Sequence, residues 1–126
     1  MQVSHHDFER LVQSAVDAIP EKYGKHIRNL AFVVEDHPSP LQQAKLHLVE
    51  GQLLFGLYEG IPLTKRSQGY NLVLPDKITI FREPIAAMSP NTGALRQLVN
   101  KTVWHEVAHY FGLDHDQIHA LENPNR

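Results

Sequence analysis

The chain has 126 residues, 42% of them hydrophobic, a formal net charge of −2 and no cysteine. A chain of this length can bury one hydrophobic core, so we expect a single domain over residues 1–126. Its scattered basic residues offer no footprint for nucleic acid or an anionic membrane, and without cysteine any metal must bind nitrogen and oxygen ligands.

The N-terminal segment, residues 1–7, lacks the apolar stretch of a signal peptide. No stretch of the chain approaches the apolar length that spans a membrane. We therefore expect a cytoplasmic protein without a membrane partner.

Two helices and a strand are predicted in the first part of the chain. Apolar residues recur at helical spacing over residues 8–19, with Ser4 as a candidate cap and Pro20 as a stop. The β-rich run at residues 30–35 predicts a strand that a proline-containing turn ends. A brief helix over residues 39–46 can begin at the Ser-Pro pair that opens it.

Two more strands and a long helix are predicted in the remainder. Residues 52–58 form a second apolar, β-rich run, and residues 64–72 form a polar loop. Residues 77–81 alternate as a third strand, which Pro84 prevents from continuing. The Ser-Pro pair at residues 89–90 can start the long helix, and residues 116–121 can add a last turn.

The long helix carries a stripe that passes from apolar residues into residues with metal-binding chemistry: Leu95, Leu98, Thr102, His105, Glu106 and His109. His105 and His109 are four residues apart, so their Cβ atoms lie about 5–6 Å apart on one helix face, a spacing that suits one shared zinc ion. Glu106 lies beside that position and is placed to act as general base on the attacking water. Gly112 can end the helix, which lets His115 return as the third ligand.

Three protein ligands and one open position are typical of catalytic zinc. We therefore predict one zinc per chain on His105, His109 and His115. Neighbouring residues are alternatives for the third position. His119 is one helical turn after His115, while Asp114 and Asp116 could serve as ligands or as acceptors for a ring N–H.

The signature H-E-x-x-H-x-x-G-x-x-H, residues 105–115, resembles that of the metzincin metallopeptidases, which also carry a methionine turn further along the chain. Eleven residues follow the motif here and none is methionine. Together with residues 54–64 and 74–85, the motif is more similar to the small bacterial zincin-like metallopeptidases, sometimes called minizincins. This resemblance covers residues 28–121; the family lacks the methionine turn and often has aspartate at the position of His115.

The resemblance implies an α+β fold, in which a small mixed sheet packs on an N-terminal helix and a long active-site helix. It also implies a zinc metallopeptidase that hydrolyses peptide bonds through metal-activated water, with a peptide or protein as the substrate. Related zincins bind an extended substrate along an edge strand above the active-site helix. Residues 77–81 are our candidate for that edge strand.

Two other function classes fit parts of the pattern. Residues 112–115 also resemble the end of the metal site in the bacterial ribosomal-RNA-maturation endoribonucleases. That family has glycine where this chain has Glu106, and an RNA enzyme would be expected to show a basic groove. The third class is a zinc-binding module without catalysis, in which a fourth ligand would close the site.

Three further side chains invite a functional interpretation. Tyr58 and Tyr110 could donate to an oxyanion, although a tyrosine more often buries its ring and satisfies its hydroxyl locally. Arg82 could hold a substrate carboxylate. We favour a surface ion pair with Glu83 or Glu59 instead, because most such pairs are solvated and weak.

Overall fold

The computed structural model of the chain describes residues 1–46, 54–61 and 75–113. In this structure the first predicted helix is confirmed. Helix α1 spans His5–Asp17, and the side chain of its N-cap, Ser4, accepts a hydrogen bond of 3.1 Å from the backbone N–H of Asp7. A second short helix, α2, spans Glu21–Gly24. The sequence pattern does not predict α2, because a single turn is too short to show a periodic repeat.

Three described strands form a mixed sheet. β1 is Leu30–Glu35, β2 is Gly56–Glu59 and β3 is Asp76–Phe81. β1 pairs with β3 in parallel and β2 pairs with β3 antiparallel, which gives the order β1-β3-β2. The predicted first and third strands are confirmed. The second is shifted toward the C-terminus, since residues 54 and 55 precede it and residues 52 and 53 lie outside the described part of the chain.

The prediction that residues 77–81 form an edge of the sheet is wrong. β3 is central, with β1 on one side and β2 on the other. Both of its faces are enclosed: Ile78 and Ile80 belong to the main core, and Thr79 on the opposite face is also fully buried. Alternation shows which side chains share a face, but it does not show which strands lie alongside. β2 is the terminal strand of the described sheet that contacts the long helix.

The brief predicted helix is confirmed, and a further helix follows β3. Helix α3 spans Pro40–Lys45 and begins with a capping box, in which Ser39 and Gln42 bond reciprocally to each other's backbone N–H. Helix α4 spans Arg82–Ala87 and starts where β3 ends. Pro84 does stop the strand, but it lies in the first turn of α4, where a missing N–H costs nothing.

The long helix, α5, spans Thr92–Tyr110. It begins two residues later than the Ser-Pro pair predicts, because its N-cap is Asn91, whose side chain accepts a hydrogen bond of 2.9 Å from the N–H of Ala94. Ser89 is used differently. Its hydroxyl donates a hydrogen bond of 2.7 Å to the carbonyl oxygen of Ile85, at the end of α4.

The hydrophobic core lies between the sheet and the helices α1 and α5, which pack on each other. Its buried members are Phe8, Val12, Ala15, Ile78, Ile80, Ile85, Leu95, Val99, Val103 and Val107. The fold is therefore the predicted α+β arrangement, with a small mixed sheet against an N-terminal and a long C-terminal helix. Within the described ranges, no helix has the length and hydropathy that crossing a membrane requires. The polar loop and the last turn predicted at residues 64–72 and 116–121 lie outside those ranges.

Candidate metal centre

Two imidazoles on α5 are close enough to share one metal ion. The Nε2 atoms of His105 and His109 lie 3.2 Å apart, and both rings are partly buried. A tetrahedral zinc with nitrogen ligands at 2.0–2.1 Å separates them by about 3.3 Å. The observed separation therefore fits two ligands of one zinc ion without any movement of the helix.

Glu106 completes a compact group of donor atoms. Its carboxylate and the two imidazoles offer one donor atom each, all within 4.8 Å of one another. The Glu106 side chain is 7% exposed, and this burial raises its pKa from 4.5 to about 7. A hydrogen bond from the backbone N–H of Tyr58 acts in the opposite direction, because it favours the charged form. The carboxylate is thus both basic and held in one orientation.

The hydrogen bond from Tyr58 depends on how closely β2 approaches α5. A Cβ at Gly56 would lie 2.8 Å from Thr102 Cγ2 and 3.1 Å from Glu106 Cγ, so glycine is what lets the two backbones come together. This role of Gly56 is not among the sequence-based predictions. A glycine inside a predicted strand is the signal that could have revealed it, since such a residue often marks close backbone approach.

The outer edge of β2 faces the carboxylate. The carbonyl of Phe55 accepts a hydrogen bond from the backbone N–H of Phe81. Along an antiparallel pair such as β2 and β3, residues that bond to the other strand alternate with residues that do not. Leu57 therefore also faces β3, while the backbone N–H and C=O groups of Gly56 and Tyr58 point away from it. The bond from Tyr58 N–H to Glu106 agrees with that alternation.

The helix ends as predicted. Gly112 has φ of +79°, in the left-handed region, and its N–H donates to the carbonyl of His109 at 2.8 Å. The N–H of Leu113 donates to the carbonyl of Ala108 at 3.1 Å, which completes a Schellman motif. The third ligand, predicted at His115, and its alternatives Asp114, Asp116 and His119 lie outside the described residues. That assignment stays a prediction.

The two tyrosines are satisfied locally, as favoured from the sequence. The buried hydroxyl of Tyr110 donates to the carbonyl of Arg28 at 2.8 Å and accepts from the same residue's N–H at 2.7 Å. The hydroxyl of Tyr58 donates to Asp76 Oδ2 at 2.6 Å. These bonds tie the end of α5 to the start of β1, and β2 to β3.

Arg82 forms ion pairs with two carboxylates. Its Nη2 lies 3.2 Å from the carboxylate of Glu83, which confirms one predicted partner, and its Nε lies 3.0 Å from the carboxylate of Asp36. The bond from Arg82 lowers the pKa of Asp36. Glu59, the other predicted partner, lies 3.8 Å from Lys77 instead.

Comparison with known proteins identifies the family. A sequence model of the zincin-like metallopeptidases matches residues 27–124, which is more than half of the chain. The chain belongs to this family. A conserved hypothetical protein from Thermo thermophilus has a similar fold, with a TM-score of 0.59 and 21% sequence identity, and the match covers 86% of this chain and 94% of that one. No curated protein matches the chain in sequence.

Membership of the zincin-like metallopeptidases confirms the predicted resemblance. It implies a bound metal, usually zinc, and His105, Glu106 and His109 form a group that could hold one. The donor set suits zinc, since imidazole nitrogens and a carboxylate oxygen are among its preferred ligands. The family and the site together point to metal-dependent hydrolysis.

Proposed function

We propose that this zincin-like protein is a zinc-dependent peptidase that hydrolyses peptide bonds. His105, His109 and His115 would hold one zinc ion per chain, and Glu106 would act as general base. The observation that carries the proposal is the position of Glu106: a buried carboxylate beside two paired imidazoles, fixed by the backbone of the neighbouring strand.

Bound zinc would polarise the scissile carbonyl and lower the pKa of the attacking water. Glu106 would accept the proton of that water and deliver it to the leaving amine. In the metal-free protein burial raises the pKa of the Glu106 carboxyl, and the hydrogen bond from Tyr58 N–H orients the carboxylate at the edge of β2. The position of Glu106, beside the two imidazoles and in the wall of the cleft, therefore suits it to proton transfer.

The substrate would bind along β2. This strand ends the described sheet on the side of α5, and the backbone groups of Gly56 point away from β3 toward the cleft. An extended peptide that pairs with such an edge gains main-chain hydrogen bonds whatever its sequence. The geometry favours a peptide or protein substrate, bound as an added strand above Glu106.

The test compares zinc-loaded wild type with the Glu106→Gln variant on a mixture of unstructured peptides, with zinc measured in both proteins. The amide is nearly isosteric but accepts no proton, so cleavage should fall by about 10²–10⁴-fold while about one zinc per chain is retained. Glu21→Gln is the matched control, because Glu21 is exposed in the first turn of α2. Its cleavage rate should equal that of wild type.

Two results would contradict the proposal. Undiminished cleavage by zinc-loaded Glu106→Gln would place the base elsewhere. Unchanged zinc affinity in both His105→Ala and His109→Ala would show that the paired imidazoles are not the metal site.

A further inference from the structure

The cleft between β2 and α5 has two lobes, which meet at Gly56, His105 and Glu106. One lobe extends toward Tyr58 and His109 and has a volume of about 380 Å³. The other extends toward Lys101, one helical turn before His105, and has a volume of about 370 Å³. We call the second one the Lys101 lobe.

Apolar groups form most of the wall of the Lys101 lobe. Leu54 and Phe55 contribute from the chain before β2, and Leu98 contributes from α5. Thr102 also presents a methyl group, because its hydroxyl donates to the carbonyl oxygen of Leu98 at 2.7 Å while its Cγ2 approaches Gly56. An apolar side chain would displace water from this wall favourably.

Lys101 is the cation of this lobe. It is exposed, and it pairs with no carboxylate among the residues that the structure describes. The other charged residue of the lobe is Glu106, which the proposed function assigns to proton transfer. A ligand that fills the lobe and brings a carboxylate to its rim would therefore match both the apolar wall and the charge of Lys101.

The direction of β2 shows which end of a bound peptide reaches Lys101. β2 begins at Gly56, against Thr102, and two residues later the ring of Tyr58 lies 6.0 Å from that of Tyr110. The strand thus runs in the same sense as α5. A peptide added antiparallel to β2, the more stable pairing, runs the opposite way and directs its C-terminal half into the Lys101 lobe.

We propose that the Lys101 lobe selects substrates with an apolar residue directly after the scissile bond and a carboxylate one or two residues further on. This inference rests on the proposed function, since it takes the position of Glu106 as the point of cleavage. An extended residue spans about 3.3–3.6 Å and a helical turn about 5.4 Å, so the separation of Lys101 from His105 corresponds to one or two residues. The carboxylate is either the C-terminus of the substrate or an acidic side chain.

The test uses two matched pairs of peptides, all with leucine after the scissile bond. The peptides of the first pair end two residues after that leucine, one as a free acid and the other as an amide. The peptides of the second pair continue beyond this position and have glutamate or glutamine there. Zinc-loaded wild type should favour the carboxylate member of at least one pair by about two- to fivefold in kcat/KM, the usual size for an exposed ion pair. The pair that responds identifies the source of the carboxylate. In 1 M salt, where the Debye length is about 3 Å, the preference should disappear.

Lys101→Gln should reduce that ratio to about one, and Lys101→Glu should invert it. Arg96→Gln is the control, because Arg96 is also exposed on α5 but lies outside the cleft. It should keep the wild-type ratio. A wild-type ratio of one in both pairs, or a ratio that Lys101→Gln leaves unchanged, would overturn the inference.

Equilibrium binding separates this inference from the proposed function. The same peptides are titrated into zinc-loaded Glu106→Gln protein, with and without Lys101→Gln, and their fluorescence anisotropy is measured. Carboxylate-dependent binding that Lys101→Gln removes would support the lobe even if no peptide is cleaved. Cleavage without a carboxylate preference would support the peptidase and reject the lobe.

Discussion

Replacing Gly56 with alanine should push β2 away from α5. The added methyl group would meet Thr102 Cγ2 at 2.8 Å and Glu106 Cγ at 3.1 Å. Neither neighbour is a flexible chain end: the hydroxyl of Thr102 is bonded to the carbonyl of Leu98, and Glu106 is buried. The strand must therefore move, and the hydrogen bond from Tyr58 N–H to Glu106 lengthens with it.

Two opposing effects set the size of the change in stability. Overpacking of a well-packed region costs about 1–3 kcal/mol. Loss of glycine's freedom in the unfolded chain stabilises by about 0.4–1 kcal/mol, and it applies in full because Gly56 does not have a positive φ. The steric effect is the larger, so the free energy of unfolding should fall by about 1–2 kcal/mol.

Denaturant unfolding measures this change, and the chain provides a matched control. A Cβ at Gly24, in helix α2, would meet no heavy atom within 4 Å, so Gly24→Ala should show the unfolded-chain effect alone and raise the free energy of unfolding by about 0.4–1 kcal/mol. Thr102→Ser removes the nearest methyl group and keeps the hydroxyl. In the Gly56→Ala protein it should recover about 1 kcal/mol as a coupling energy. A Gly56→Ala protein as stable as Gly24→Ala, or additive effects in the double variant, would refute this account of the strand's position.

Three further predictions concern stability. Tyr110→Phe removes two part-buried hydrogen bonds to the backbone of Arg28 and should cost about 1–3 kcal/mol of unfolding free energy, at about 0.5–1.5 kcal/mol for each bond. Tyr23→Phe, with no hydroxyl bond among the described residues, should cost under about 0.5 kcal/mol. Gly112→Ala places a side chain at φ of +79° and should cost about 1–2 kcal/mol by the same measurement. With a chelator present, the proton-linked stability from the raised pKa of Glu106 is fully present below pH 4.5 and is lost as the pH rises through about 7, so the free energy of unfolding should fall by about 3 kcal/mol over that range. Denaturant unfolding of Glu106→Gln over the same range should not show this fall.

Local signals account for the parts of the fold that the sequence predicted. Ser4 caps α1, and Ser39 caps α3 in a box with Gln42, each within one turn of the residues it bonds. The separation of His105 and His109 is also local, because one helical turn brings their rings together. Such features depend on residues three or four positions apart, which a single sequence displays directly.

The errors arose where distant segments decide the structure. Thr79, between two isoleucines, gave β3 the alternation of a half-exposed strand, yet it is fully buried and its hydroxyl has no hydrogen-bond partner among the described residues. β1 and β2 enclose β3 from positions about 20 to 45 residues earlier in the chain. The residues of β3 do not indicate which strands pair with it, so the strand order could not be predicted from them.

The same distinction between local and distant residues applies to the metal-binding motif and the site that encloses it. The spacing of the two histidines would be identical on a solvated helix without function. What distinguishes this chain is that Gly56 and Tyr58, about 50 residues away, enclose Glu106 and fix its carboxylate. An apolar residue would be more stable at that position in the metal-free protein, since burial disfavours the charged form. A cation held by the adjacent imidazoles would reverse that preference, so metal binding would offset the cost of burying the carboxylate.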